Sequence, residues 1–220
     1  NKYIMNTNEK FSADIPSDQR GIIKGQLGFS TVFYFQDIVD YEIKNDEWKK
    51  DILNASKEKG VTKSNIFGWQ SNFVKHDGMN SEFLSIFNNI HAVMHIDENY
   101  SPDIDSMWFN VNSKGSYNKT HTHPGCHLSF VYYVQCPEKC GMISFEDPRE
   151  QAWAVQFPFA KKVDKGWQGD RPDEYAQEIY WQSAPGRIII FPSWLRHSVE
   201  PNQSDELRIS VSGNVTFRNK

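Results

Sequence analysis

Hydrophobic and polar positions follow one rhythm in the first hundred residues and another after them. From Asp37 to Lys59, apolar residues fall at Ile38, Tyr41, Trp48, Ile52 and Leu53, and Gly60 follows as a stop; this predicts a helix. From Ser81 to Ile96, Phe83, Leu84, Ile86, Phe87, Ile90, Val93 and Met94 make a second helical stripe, with Ser81 as its expected cap. The β-branched and aromatic run STVFYFQ (30–36) and the shorter GWQSNFV (68–74) predict strands.

Beyond about residue 100 the pattern shortens. SMWFNVN, HLSFVYYVQ, GMISFED, GRIIIFP, HSVEP and LRISVSGNVTF are strand-like segments separated by turns, which predicts a β-sandwich or barrel. The 146–184 stretch interrupts them and carries Trp153, Phe157, Phe159, Trp167 and Trp181. Long connections in compact domains usually serve function, so this stretch and Trp194 are the expected substrate-facing wall; packing against the core is the alternative. The organisation expected is a single domain over 1–220, with a mixed helical and strand part (1–100) packed on a β core (101–220).

Composition narrows the function classes. Aromatic residues are 14% and charged residues 24% of 220, which fits a globular chain. The net charge is −4 with no basic run, so nucleic acid is not an expected partner. No apolar run reaches the length of a membrane span and no signal sequence is evident, so a cytoplasmic location is expected. Cys126, Cys136 and Cys140 are an odd set, expected as free thiols in a reducing compartment.

His121 and His123, in KTHTHPG, are two residues apart. On a strand that spacing puts both side chains on one face, about 6.6 Å apart at the backbone, within reach of one metal ion. His197 opens a later strand segment, and Arg208-Ile-Ser210 follows eleven residues on. A strand seldom buries an unpaired arginine, so Arg208 needs either an acidic protein partner or an anionic ligand. Arginine grips carboxylates with two parallel hydrogen bonds, and Ser210 can add a hydroxyl.

The order His-x-His, 74 residues, His, eleven residues, Arg-x-Ser resembles the Fe(II)/2-oxoglutarate-dependent oxygenases. SNIFGWQS, HTHPGCHLSFVYYV, EDPR and FPSWLRHSVEPN together resemble a prolyl-hydroxylase-like family of bacterial and phage 2OG-Fe(II) oxygenases, over roughly residues 64–217. The resemblance implies a double-stranded β-helix (jelly roll) and an Fe(II) held by His121, His123 and His197. It also implies 2-oxoglutarate held by Arg208 and Ser210 and touched by Tyr133 (a core aromatic is the alternative), O2 as oxidant, and hydroxylation coupled to decarboxylation of 2-oxoglutarate. Asn110 and Asn112, on the preceding strand, could reach the cosubstrate or stand as solvated strand residues. The family's usual middle ligand is Asp or Glu; here it is His123, so three neutral imidazoles would leave the iron its full charge. Glu146 and Asp147 are the nearest carboxylates that could supply the missing charge. Phe130 replaces a small residue of the family pattern and is expected to narrow the pocket.

Two other readings stay open. A cupin-type metalloprotein without 2-oxoglutarate would use His127 beside the three histidines, but leaves Arg208 unexplained. A non-catalytic binding module on the same fold is the other. His91 and His95 match the spacing of a zinc pair but lack its catalytic Glu and are expected to be structural, and His76 is expected in a loop. The substrate, a prolyl or other peptide side chain or a small molecule, is not specified by these residues.

Overall fold

The computed structural model describes residues 31–149 and 178–220. In chain order the elements are β1 (Tyr34–Asp37), α1 (Tyr41–Ala55), β2 (Asn65–Ile66), β3 (Trp69–Gln70), α2 (Asp77–Val93), β4 (Tyr100–Asn112) and β5 (Tyr117–His121). Then follow β6 (Leu128–Gln135), β7 (Ile143–Glu146), β8 (Glu178–Trp181), β9 (Arg187–Pro192), β10 (His197–Val199) and β11 (Arg208–Asn219). All belong to one compact unit, Phe33–Lys220; the expected contribution of residues 1–30 lies outside the described residues.

The strands form two antiparallel sheets. The larger runs β1-β9-β6-β11-β4-β3, the smaller β2-β5-β10-β7-β8. This is the double-stranded β-helix expected, with both helices packed outside the larger sheet.

Alternation along the central strands explains why one sheet can serve two interiors. Side chains on a strand point alternately to opposite faces, so each strand splits its residues between two environments. On β11, Ile209, Val211 and Val215 join the core under the helices, whereas Arg208, Ser210, Ser212 and Asn214 line the cavity between the sheets. On β4, Met107 and Phe109 face the helices, and Trp108, Asn110 and Asn112 face the cavity. On β6 and β9, Phe130, Tyr132, Val134, Ile188 and Ile190 belong to the helical side. Val131, Tyr133, Ile189 and Phe191 pack inside the barrel with Ile143, Phe145, Trp181 and Leu195. The buried polar residues of β4 and β11 (Asn110, Asn112, Arg208, Ser210 and Asn214) therefore all lie on the face that lines the cavity.

The helices dock through the stripes read from the sequence. Trp48 and Ile52 of α1 and Met79, Phe83, Ile86, Phe87 and Ile90 of α2 are buried in the outer core. Burying side chains of this size contributes about 1.5–3 kcal/mol each. Asn45 pins α1 to the sheet: its amide donates to the Val134 carbonyl (2.8 Å) and its carbonyl accepts from the Tyr132 hydroxyl (2.7 Å).

Several boundaries differ from expectation. The first helix begins four residues late because Asp37 ends β1, and the second begins at Asp77 rather than Ser81. His76 is its cap, not a loop bystander: the ring Nδ1 accepts from the Met79 amide at 3.3 Å. Strands β2, β5 and β8 were not anticipated. They are short, and β5 (YNKTH) is polar throughout, so no hydrophobic rhythm marks it.

Phe130 borders the cavity, and its ring also packs 5.1 Å from Phe83 and 5.4 Å from Phe87 in the helical layer. Cys136 and Cys140 are joined by a disulfide rather than free, because the β6–β7 turn folds the two back on each other; Cys126 remains a free thiol. Trp181 packs inside the barrel, whereas Trp153, Phe157, Phe159 and Trp167 lie outside the described residues. Trp194 is 56% exposed and does not border the cavity, so it is not part of the wall expected of it.

Candidate active site

Strand pairing assembles the histidines. His197 opens β10 and stands opposite His121, the last residue of β5. On its other side His197 faces Phe145 of β7. His123 lies two residues beyond the strand end, where the chain has left the ladder; its amide donates to the Ser193 carbonyl at 2.9 Å. That tether, rather than strand alternation, turns His123 toward the other two. Ring centroids are 4.9 Å apart for His121–His123, 4.3 Å for His121–His197 and 5.1 Å for His123–His197.

One ring nitrogen of each histidine lies within 4.8 Å of the others, close enough for a single metal ion to gather all three. Two rings are oriented by backbone carbonyls: His197 Nδ1 lies 2.9 Å from the Leu195 carbonyl and His121 Nδ1 2.7 Å from that of Lys119. With Nδ1–H donating, Nε2 keeps its lone pair for a metal. Burial pushes all three imidazoles toward the neutral, ligating form. His197 is lowered to about 3 by burial and then by His121, and His123 to about 4 by the same two causes. His121 is lowered by burial, opposed by the Lys119 carbonyl.

No carboxylate joins the group among the described residues. Glu146 is held by Arg196 (2.6 Å) and Asp147 by Arg149 (2.6 Å). His127 is also excluded. It is exposed, and its Nδ1 accepts from the Phe217 amide at 2.9 Å, so a four-histidine cupin arrangement does not form. His91 packs near Phe217 (6.0 Å between rings) and no metal-binding group among the described residues includes His91 or His95.

The cavity has a volume of about 550 Å³, and Arg208 lies on its wall with 1% of its surface exposed. Nη1 donates to the carbonyls of Cys140 and Glu200 (3.0 Å for the latter), and Nη2 approaches the Ser116 carbonyl at 3.4 Å. Among the described residues no carboxylate pairs with it. Even Glu200 spends its side chain on the Met142 amide (2.9 Å). Burial lowers the Arg208 pKa, with Tyr133 and Glu200 opposing, but a guanidinium stays charged in proteins.

Beside it Ser210 stands opposite Asn110 of β4 and Tyr133 of β6. The Asn110 amide donates to Ser212 (3.1 Å) and reaches Ser210 at 3.4 Å. Tyr133 is fully buried and its hydroxyl has no hydrogen-bond partner; nearby Ser183 turns its own hydroxyl to the Gly141 carbonyl (3.3 Å). A buried cation lacking its anion and an orphaned phenol beside it form a receptor for a carboxylate. The residues thus fit both a divalent metal and a dicarboxylate.

A jelly-roll barrel with three histidines that could hold a metal ion and a buried arginine on one cavity has the arrangement expected of a mononuclear iron oxygenase. Residues 106–214, the β core that carries the candidate site, match the family described as "Putative 2OG-Fe(II) oxygenase". The chain is accordingly a 2-oxoglutarate-dependent dioxygenase, with Fe(II), 2-oxoglutarate and O2 as its cofactor set. No curated protein sequence matches the chain.

Solved structures share the fold at low identity. A Pseudomonas putida prolyl-4-hydroxylase superposes with a TM-score of 0.56 at 11% identity, covering 87% of this chain and 94% of that one. The carbocyclase SnoK from nogalamycin biosynthesis gives 0.59 at 12%, covering 86% and 82%. HygX from Streptomyces hygroscopicus, with nickel and 2-oxoglutarate bound, gives 0.54 at 9%, covering 84% and 83%. Among the described residues no helix is long and apolar enough to cross a membrane.

Proposed function

We propose that the chain is a hydroxylase in which His121, His123 and His197 hold Fe(II) and Arg208 holds the distal carboxylate of 2-oxoglutarate. The observation that carries this reading is the convergence on one cavity of three neutral imidazoles and a buried guanidinium that has no carboxylate partner among the described residues. The bound iron and cosubstrate supply the oxidising chemistry. The protein's part is positional. Leu195 and Lys119 fix two imidazoles, Ser210 and Tyr133 offer hydroxyls to the same carboxylate as Arg208, and Asn110 orients Ser210 and Ser212.

The three-histidine set favours iron in its +2 state and leaves charge balance to the dianionic cosubstrate. The prolyl hydroxylase and HygX share the fold and support the reaction type by analogy. A reducing cytoplasm, which keeps iron ferrous, is the setting we favour; the Cys136–Cys140 disulfide is the observation against it, and a thiol count on freshly lysed cells decides.

The test is anaerobic addition of Fe(II) and 2-oxoglutarate, watching for the visible metal-to-ligand charge-transfer band. We expect the band in the wild type and a loss of 2-oxoglutarate affinity of about 30-fold or more in Arg208→Ala, since truncating one member of a buried charge pair costs about 2–5 kcal/mol. Absence of the band would sink the oxygenase assignment. Unchanged affinity in the variant would remove Arg208 from its role.

A further inference from the structure

The wall of the cavity carries an asymmetry that the metal and 2-oxoglutarate do not account for. Among the described residues lining it are Arg208, Lys63 and Lys119, but no Asp or Glu. This is a local choice, because the chain as a whole has 28 acidic and 24 basic residues and a net charge of −4. Arg208 is deep and is the cosubstrate's partner. Lys63 and Lys119 are exposed at the other side of the histidines, and no described carboxylate pairs with either ammonium.

Their position is fixed by backbone pairing. The Lys119 amide donates to the Ser64 carbonyl at 3.0 Å, next to the β2–β5 register pair Asn65–Asn118. Ser64 in turn brings its hydroxyl to 3.4 Å from His121 Nε2 and accepts from the Asn118 amide at 3.0 Å. Lys63 and Lys119 therefore flank the outer side of His121.

The opposite flank is aromatic. Trp108 lies 5.5 Å from the His123 ring, and Phe73 lies 6.2 Å from Trp108. Phe73 is 75% exposed although it lines the cavity, so a large apolar ring is left facing the entrance. An exposed aromatic continuing a buried one toward the metal-binding residues offers stacking area at little entropic cost.

We propose that this entrance is the primary-substrate subsite and that it selects an anionic substrate with a flat, apolar portion. The acid group reaches Lys63 and Lys119, and the flat portion lies on Phe73 and Trp108, which brings the molecule across His121 and His123. This rests on the hydroxylase reading and adds the substrate class to it. A neutral peptide side chain alone would leave the two ammonium groups unused. The same positive entrance also favours the approach of 2-oxoglutarate, so the experiment has to separate affinity for a second anion from delivery of the first.

The probes are indole-3-propionate and its uncharged amide, added anaerobically to protein loaded with Fe(II) and 2-oxoglutarate. Displacement of the visible charge-transfer band reports binding next to the metal. We expect the carboxylate to bind about tenfold more tightly than the amide at low salt, since two exposed pairs contribute up to about tenfold together. The preference shrinks as ionic strength rises. Lys63→Gln/Lys119→Gln, which keeps the Lys119 backbone carbonyl on His121 Nδ1, is expected to abolish the preference while the equilibrium affinity for 2-oxoglutarate stays within about twofold. Phe73→Ala is expected to weaken both probes equally, which a purely electrostatic site would not show.

Equal binding of the two probes, binding of neither, or a preference that survives the double variant overturns the proposal while the hydroxylase reading stands. A double variant that only slows association of 2-oxoglutarate assigns the lysines to delivery and likewise overturns it. No band in the wild type removes the reading underneath, and is seen before any probe is added.

Discussion

His121 and His197 stand directly opposite each other in the β5–β10 pairing, with ring centroids 4.3 Å apart. Register therefore decides the candidate metal site. A slip of one residue would turn either imidazole to the other face of the sheet. His123 is held differently, by its amide on the Ser193 carbonyl, so the third imidazole depends on the β9–β10 turn.

Position 123 makes the sharpest prediction. His123→Ala is expected to weaken divalent metal binding by about tenfold or more, whereas His123→Asp keeps a ligand of the family's usual kind and binds metal well. Calorimetric titration with Co(II) or Ni(II), in place of air-sensitive Fe(II), reads the difference. Equal affinity for wild type and His123→Ala would leave His121 and His197 as the only ligands.

The Tyr133 hydroxyl is buried without a well-formed hydrogen bond; burial raises its pKa, opposed by the nearby Ser183 hydroxyl and by Arg208. Leaving such a group unsatisfied costs about 1–3 kcal/mol. Tyr133→Phe is expected to raise the thermal midpoint of the ligand-free protein while weakening 2-oxoglutarate several-fold. A variant less stable than the wild type would mean that the hydroxyl is already satisfied.

Gly213 makes room for Phe130. A methyl group added at 213 would meet the Phe130 ring at 2.5 Å and the Ser106 carbonyl at 2.7 Å. Gly213→Ala is expected to destabilise by about 1–3 kcal/mol, the usual cost of overpacking. Adding Phe130→Leu should recover part of that loss in denaturant melts, because the ring is the nearer obstacle. No recovery would place the whole penalty on the backbone carbonyl.

Stability of the metal-free protein depends on pH through the same histidines. His197 and His123 are lowered in the fold to about 3 and about 4, against 6.5 when unfolded. Between those values the unfolded chain binds more protons than the folded one, so stability falls as pH drops below about 6.5 and is flat above it. Comparing thermal midpoints at pH 7.5, 5.5 and 4.5 for wild type and His197→Asn isolates this effect from the carboxylates. The wild type should fall more steeply; parallel curves would contradict the burial of a neutral His197.

Some of the molecule could be read without coordinates, and the reason differs by element. The stripes Phe83–Phe87–Ile90 and Trp48–Ile52 are visible because a helix that packs on one side repeats its apolar residues every three or four positions. Strand β5 was invisible because YNKTH carries no hydrophobic alternation; it is a strand only because β2 and β10 hydrogen-bond to it. The start of α2 was placed late because a histidine cap has no strong sequence signal, and His76 caps only once its ring meets the Met79 amide. The side on which the Phe130 ring packs is hidden for a related reason: β6 is buried on both faces, so no polar alternation marks which way a residue points.

The sequence by itself determined the candidate ligand types and their order: an imidazole pair, a distant third imidazole, and an arginine with a serine two residues on. Those are chemical identities, and spacing along a strand preserves them. Only the tertiary structure decided which groups act together. It showed that Glu146 is held by Arg196 and His127 by the Phe217 amide, that Arg208 has backbone carbonyls but no carboxylate among the described residues, and that Lys63 and Lys119 share the cavity lining with Phe73 and Trp108. Partners across a sheet come from residues far apart in the chain, and hydrogen-bond register, which no local pattern encodes, sets who meets whom.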